Sequence, residues 1–406
     1  MITKYFVAAC KLILFTSLFI SFTSCSSSQL KPNDLIFTKE IYYQSPKKLL
    51  NEKEIHKDLN LLIYALENGY GAKDHLPGDQ FDQAVSSLNK IKDYKKLSGK
   101  QFCKLVGDAL WPVQDGHLYV LARGKYCGLQ QKRREWKGRV GKNWAYNDYK
   151  EDNRPWHMKS IIKNGKRIGM ISIIYYPSHK DTKWNGFIEQ SKNLIKSSDV
   201  LVVDLRGNQG GDDTKGFELA SILQDRVVKP GWDKTIDRLT PETLALSQNS
   251  WLMNKYSFEH KNKQIPSYIE NFIKERKEIL QNALDGKYQK TKVYSWDQSK
   301  YPIGKNAYQG KIFLLQDKEC RSSGESSLEV LAKHPNATTL GENTLGMYHF
   351  GNVNKLVLPN SKLLIGIASK YNAYSDDRNI DKIGMKPNIV IPKDEDALEY
   401  VLKNKI

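Results

Sequence analysis

Three short apolar runs, separated by turns and by segments with helical periodicity, constrain the fold of this chain more than any other feature. The runs are GMISIIYY (169–176), DVLVVDLRG (199–207) and KIFLLQD (311–317). Apolar runs of this length indicate strands that are buried on both faces, as in parallel sheets. The helical patterns lie at 188–195, 215–223 and 326–332. Repeated strand, turn and helix units predict an α/β core.

A helical region precedes this core in the sequence. Apolar residues recur at helical spacing over 55–66, 81–91 and 102–110, and a later amphipathic pattern at 269–284 interrupts the rhythm of strands and helices. The predicted organisation is a signal peptide (1–24), a tether (25–45), an N-terminal helical domain (46–112) and a core (113–400) with a helical insertion at about 231–310.

The first residues have the pattern of an export signal. Lys4 and Lys11 flank an apolar start, and the uninterrupted apolar stretch 12–22 is shorter than the roughly 20 residues of a membrane span. The residues Phe-Thr-Ser-Cys at 22–25 resemble the box at which bacterial lipoproteins are processed and lipidated. We therefore expect Cys25 to carry a lipid that anchors the mature chain in the cell envelope, with the outer membrane or surface favoured.

Composition excludes several classes of function. The formal net charge is +18, but the lysines are scattered without a dense basic run, which argues for a solvated surface and against a nucleic-acid partner. The histidines are isolated, and the sequence contains neither two closely spaced cysteines of the kind that bind metal nor an HExxH pattern. We therefore expect no metal or other cofactor. Outside the signal, Cys103 and Cys127 either form a disulfide or remain buried thiols, and Cys320 has no obvious partner.

The turn after the second apolar run is rich in glycine. Because glycine lacks a β-carbon, the backbone amides of 207–211 can approach a ligand closely, as an oxyanion hole requires. A tight strand-to-helix turn in which Asp212 or Asp213 caps the next helix explains the same residues equally well.

Polar residues follow the third apolar run, at the start of a predicted helix. At this position the positive end of the helix dipole would stabilise negative charge that develops on a carbonyl oxygen bound beside Ser322. Alternatively, Ser322 and Ser323 simply cap the helix. His117, in the segment Asp-Gly-His at 115–117, and Asp381 also have structural interpretations, as a core histidine and as a turn residue.

Together and in this order, these segments resemble the tail-specific or C-terminal processing peptidases, the serine peptidases of family S41. The matching segments are DGH (115–117), VVDLRGNQGG (202–211), SSGE (322–325), GENTLG (341–346), LPNS (358–361) and DKIGMKPN (381–388). The resemblance runs from about 50 to 391. It implies a crotonase-type α/β spiral core preceded by a helical domain.

The resemblance also implies roles for individual residues. Ser322 falls on the family's nucleophile, and Ser323 and Gly210 fall on the two backbone donors of the oxyanion hole. His117 and Asp381 fall on the base and the orienting acid of the branch that resembles the tricorn core protease. That acid is normally a glutamate, and aspartate is one methylene shorter.

Other features distinguish this chain within the family. The lysine of the serine-lysine branch is replaced by Met347, which favours His117 as the base, with His349 as a rival. Some fifty residues separate His117 from the strand at Gly169, about half of what a PDZ domain needs, so the usual peptide-binding PDZ domain is missing.

The expected function is hydrolysis of peptide bonds in periplasmic or surface polypeptides. Two alternatives remain open at this point: a non-catalytic relative that binds peptides or apolar ligands, and an esterase that uses the same serine. The expected partners are a peptide or protein substrate and, through the lipid, a membrane. The sequence does not predict the oligomeric state.

Overall fold

The computed structural model describes residues 29–134, 140–178, 181–224, 228–287, 290–295, 307–376, 378–392 and 394–406. Cys25 and the predicted signal lie outside these residues. From Lys31 to Ile406 the chain forms one compact unit. Within the described residues, every helix is too short or too polar to span a bilayer.

The described residues form both helices and strands, numbered here in chain order. The helices are α1 (Lys39–Tyr43), α2 (Glu52–Gly69), α3 (Gln80–Lys90), α4 (Gly99–Leu110), α5 (Tyr146–Asp152), α6 (Lys183–Lys196), α7 (Asp213–Leu223), α8 (Pro241–His260), α9 (Ser267–Leu284), α10 (Ser323–Ala332) and α11 (Ala397–Asn404). The strands are β1 (Leu49–Asn51), β2 (Lys96–Ser98), β3 (Tyr119–Ala122), β4 (Lys125–Tyr126), β5 (Trp156–Lys163), β6 (Lys166–Ile173), β7 (Val200–Asp204), β8 (Lys234–Arg238), β9 (Thr291–Ser295), β10 (Lys311–Gln316), β11 (Ala337–Gly341), β12 (Phe350–Val357), β13 (Leu364–Ala373) and β14 (Ile389–Val390).

The three apolar runs form neighbouring strands of one sheet. Its order is β14-β11-β10-β7-β6-β5, and its pairs are parallel except for the hairpin of β5 and β6. Residues of β7 alternate between two apolar layers. Leu201 and Val203 pack with residues of α6, α7 and α10, whereas Val200 and Val202 pack with residues of α11. Helices on both faces explain why these strands are apolar throughout, and the predicted mixed α/β architecture is confirmed.

A second, antiparallel sheet has the order β4-β3-β13-β8-β9, with β12 also paired to β13. The predicted helical insertion at 231–310 contains α8 and α9, and it also supplies β8 and β9 to this sheet. His117 immediately precedes β3, whereas Ser322 follows β10 of the first sheet. The two sheets therefore supply different parts of the candidate site.

The N-terminal helices support the segment that carries His117. Helix α4 ends at Leu110, seven residues before His117, and the disulfide Cys103–Cys127 joins this helix to the segment after β4. The Cα atoms of the two cysteines are 5.2 Å apart. The sequence left open whether Cys103 and Cys127 form a disulfide or remain buried thiols, and the structure contains the disulfide. Cys320 is a buried free thiol. The domain boundary at 112 stays a prediction.

Candidate active site

Ser322 occupies a sharp turn between β10 and α10. Its backbone angles are φ +55° and ψ −123°, a conformation that side-chain-bearing residues rarely adopt and that occurs mainly at functional turns. Its Oγ lies 3.4 Å from Nε2 of His117, although the two residues are 205 positions apart in the chain. The turn therefore presents the Ser322 hydroxyl to an imidazole.

Glu325 holds this turn in place from the first turn of α10. Its fully buried carboxylate accepts hydrogen bonds from the amides of Ser322 (3.0 Å), Gly346 (2.8 Å) and Met347 (2.8 Å) and from the hydroxyl of Thr344 (2.5 Å). Burial raises the pKa of Glu325, and these hydrogen bonds oppose that shift. The sequence analysis included Glu325 only as the last residue of the SSGE segment, although its spacing from Ser322 matches a capping box.

His117 is buried and is held by its neighbour Asp115. The amide of His117 donates to Oδ1 of Asp115 at 2.6 Å, and Nδ1 of the imidazole lies 4.0 Å from the same oxygen. The other carboxylate oxygen of Asp115 accepts the hydroxyl proton of Tyr70 at 2.7 Å. Asp115 is thus an acidic neighbour of His117 that sequence reasoning did not single out, although the Asp-Gly-His segment contained it.

Asp381 lies at the same place and is fully buried. Its carboxylate accepts the amides of Gly116 (2.8 Å), Tyr348 (2.8 Å) and His349 (2.9 Å), so it joins the His117 segment to the segment before β12. The interpretation of Asp381 as an exposed turn residue is wrong. A β-carbon on Gly116 would lie 2.2 Å from the carbonyl oxygen of Gly346, so only glycine fits this close approach.

The two carboxyl groups beside His117 influence each other. One side-chain ligand atom from each of Asp115, His117 and Asp381 lies within 4.8 Å of the others. Burial and the charge of Asp115 raise the pKa of Asp381 to about 8. This shift favours the neutral form of the Asp381 carboxyl group, whereas the amides that donate to it favour the charged form. Asp115 and Asp381 already accept hydrogen bonds from backbone amides and from a hydroxyl group, so this group of side chains is arranged for hydrogen bonding.

His349, the rival base, has a different environment. Its Nε2 accepts the amide of Ile380 at 3.1 Å, and its ring centroid lies 4.7 Å from that of Tyr374. Burial lowers the pKa of His349 to about 4. Nε2 of His349 is therefore already an acceptor from the backbone.

The glycine turn after β7 lies against Ser322. A β-carbon on Gly210 (φ +84°) would lie 2.8 Å from Cβ of Ser322 and 3.3 Å from its Oγ. The amide of Gly210 donates to Oδ1 of Asn208 at 2.9 Å, so binding an oxyanion would require it to share or exchange this acceptor. Ser323 is the first residue of α10, a position whose amide has no intrahelical acceptor, and its hydroxyl donates to the carbonyl of Gly211.

Buried polar residues connect this turn to the loop that carries Ser322. Asp317 accepts the amides of Gly207 (2.9 Å) and Cys320 (2.9 Å), and burial raises its pKa to about 7. The amide of Arg321 donates to the carbonyl of Asn208 at 3.0 Å. These contacts fix the distance between the two loops, and no local pattern in the sequence marked Asp317 for this role.

Comparisons with known proteins identify a related sequence and similar folds. A protein of Chlamydia pneumoniae is 23% identical over 254 residues, and the match covers 56% of this chain but only 40% of that protein. A solved structure described as a peptidase from Parabacteroides merdae has a TM-score of 0.53 at 12% identity and covers 88% of this chain and 98% of its own. CPAF in complex with lactacystin has a TM-score of 0.51 at 14% identity, covering 84% and 94%.

These structural likenesses concern the fold alone. The sequence model of peptidase family S41 matches residues 167–391, a stretch that contains Gly210, Ser322 and Asp381. This match spans more than half of the chain, so the chain belongs to the serine peptidases of family S41.

Proposed function

We propose that this chain hydrolyses peptide bonds of polypeptides in the cell envelope, with Ser322 as the nucleophile and His117 as the general base. One observation carries the proposal: Oγ of Ser322 lies 3.4 Å from Nε2 of His117, in a turn at the N-terminus of α10. A nucleophile and a base within reach of each other, beside the amide of Ser323 at the helix start, suit attack on a carbonyl group.

In the proposed reaction, Oγ of Ser322 attacks the substrate carbonyl while His117 takes its proton and later gives it to the leaving amine. Water then releases the acyl group by the same route in reverse. The amides of Ser323 and Gly210 stabilise the negative oxygen, with Gly210 exchanging its contact to Asn208. Asp381 orients the His117 segment through Gly116.

The acid that faces the imidazole has a second candidate in Asp115. Its Oδ1 lies 4.0 Å from Nδ1 of His117, whereas the recorded hydrogen bonds of Asp381 go to backbone amides. We propose that the two carboxyl groups act together, Asp115 on the ring and Asp381 on the backbone that carries it. We also propose that the parallel strands and their helices form the crotonase-type spiral that the family resemblance implies.

A fluorophosphonate probe and a peptide mixture together test this function. The probe is expected to label Ser322 in the folded protein, and mass spectrometry is expected to detect cleaved peptides that a Ser322→Ala control does not produce. Absence of labelling would support a binding protein. Labelling with hydrolysis of esters but not of peptides would support an esterase.

The pH profile of turnover separates the two candidate bases. An imidazole base stops working when protonated, so with His117 we expect turnover to fall as pH drops through about 6.5, the usual imidazole pKa. With His349, whose pKa burial lowers to about 4, activity would persist to much lower pH. The check is kcat/KM against pH, repeated with His349→Gln. A profile that stays flat to about pH 5 would contradict the assignment of His117.

We propose that Cys25 carries the lipid that places the protein at the envelope, because a short apolar signal ends there. A Cys25→Ser variant is expected to lose incorporation of labelled fatty acid and to move from the detergent phase to the aqueous phase. A matched Cys320→Ser variant controls for the loss of a thiol. Unchanged partitioning of the Cys25 variant would refute the anchor.

A further inference from the structure

A cavity of about 420 Å³ lies beside the nucleophile loop and belongs to none of the catalytic steps above. Lys318, which follows β10, and Glu342, which follows β11, both line it. The carboxyl ends of adjacent parallel strands meet at one edge of a sheet, where ligands of α/β proteins commonly bind. The cavity is therefore at the same sheet edge as Ser322.

The walls of this cavity are connected directly to the candidate site. Lys318 lies on the loop that leads to Ser322, and the amide of Leu345, another lining residue, donates to the carbonyl of Cys320 at 2.9 Å. Lys382 follows Asp381, and its amide donates to the carbonyl of Gly346 at 2.8 Å. These contacts connect the cavity walls to the backbone of the loop that carries Ser322 and of the segment before β12.

Positive charge dominates the cavity. Its lining includes Lys132, Lys318 and Lys382 against the carboxyl group of Glu342. The ammonium group of Lys382 donates to the carbonyl of Trp111 and lies 4.7 Å from the centroid of its ring. Among the residues that the structure describes, no carboxylate forms an ion pair with Lys132 or Lys318.

Apolar side chains complete the lining. Ile383 and Val390 are 60% and 59% exposed, a high value for aliphatic residues next to a cavity. Lysine binds anions as a flexible point charge, and the adjoining aliphatic surface can hold the stem of a side chain or a chain end. This combination suits a carboxylate on a short apolar stem.

We propose that this cavity binds a carboxylate group of the substrate peptide, so that the protein selects acidic segments of polypeptides. The carboxylate comes either from a Glu or Asp side chain or from the free chain terminus. The net charge of +18 adds long-range attraction for such substrates. This inference rests on the proposed peptidase function, because only then is the bound peptide a substrate. Binding of the peptide can nevertheless be measured without cleavage.

The test uses the full chain with Ser322→Ala and three fluorescent peptides that differ only in charge. One peptide carries an internal glutamate and an amidated terminus, one has a free terminal carboxylate and no acidic side chain, and one is neutral. By fluorescence anisotropy we expect a carboxylate peptide to bind about tenfold more tightly than the neutral one. The difference should shrink as salt screens the charges. The favoured peptide identifies the source of the carboxylate.

Charge reversal in the cavity provides the decisive variant. Adding Lys318→Glu to the Ser322→Ala protein is expected to bring the ratio of two dissociation constants, that of the neutral peptide to that of the favoured carboxylate peptide, down to about one. Lys196→Glu, the same charge change at the exposed last residue of α6, is the matched control and should keep the preference. Thermal melts establish that each variant is folded, and Lys132→Glu replaces Lys318→Glu if the latter does not fold.

Equal binding of all three peptides, or a preference that survives charge reversal at Lys318 or Lys132, would overturn the inference. Failure of the peptidase proposal has a different signature. In that case the wild-type protein would show neither fluorophosphonate labelling nor cleavage, while the Ser322→Ala protein would still distinguish the peptides by charge.

Discussion

Replacing Ser322 or His117 by alanine is expected to lower kcat for peptide hydrolysis by about 10⁴-fold or more, because each variant lacks one partner of the proton transfer. The double variant should lose little more than either single variant, since the two side chains act as a unit. The measurement is kcat under saturating peptide, with circular dichroism to establish that each variant is folded.

The pattern of these losses tests the pair and not only the serine. His349→Ala is the matched control, because His349 is also a buried histidine near Asp381 but its Nε2 accepts the amide of Ile380. Near-normal turnover in His117→Ala together with a large loss in His349→Ala would reverse the assignment of the base. Losses that add fully in the double variant would contradict a shared proton transfer.

Arg206→Met is expected to reduce the free energy of unfolding by about 3 to 5 kcal/mol, because it leaves a buried carboxylate without its partner. Arg206 and Asp204 are both fully buried, and their side chains form two hydrogen bonds of 2.9 and 2.7 Å. The guanidinium also donates to the carbonyl of Val140 and to Asp396. Urea unfolding followed by tryptophan fluorescence measures the change.

Arg154→Met is the matched control, because its partner Asp152 and Arg154 itself are 42% and 58% exposed. Exposed ion pairs contribute little, so we expect a change below about 1 kcal/mol. A small effect of Arg206→Met would mean that Asp204 has other adequate partners in the folded state. A double variant, Asp204→Leu with Arg206→Met, should be more stable than Arg206→Met alone, because it no longer buries an unpaired carboxylate.

Three strands of the first sheet could be predicted because short, continuous stretches of sequence are enough to indicate them. Three apolar runs between turns correspond to β6, β7 and β10, since strands covered by helices on both faces must be apolar throughout. The strands β8 and β9 were not predicted within the segment 231–310. Their pairing with each other and with β13 depends on contacts with distant segments, which short-range periodicity does not reveal.

In the candidate site, too, the sequence predicted some features, whereas others depend on contacts between distant segments. The order of motifs, through the family resemblance, selected Ser322, His117 and Asp381, and the structure places His117 close to both of the others. The sequence could not reveal that Asp381 and Glu325 are fully buried acceptors of backbone amides. The local sequence around an acidic residue in a polar loop does not show whether that residue is exposed or buried. The contact of Gly210 with Asn208 likewise depends on the detailed path of one turn.

The hydrogen bond between Gly116 and Asp381 spans 265 positions of the chain. During synthesis, the segment that carries His117 leaves the ribosome long before the residues that fasten it have been made. A nascent or truncated chain that lacks Asp381 therefore cannot complete the contacts around His117. The contacts around His117 are therefore complete only after residue 381 has been synthesised.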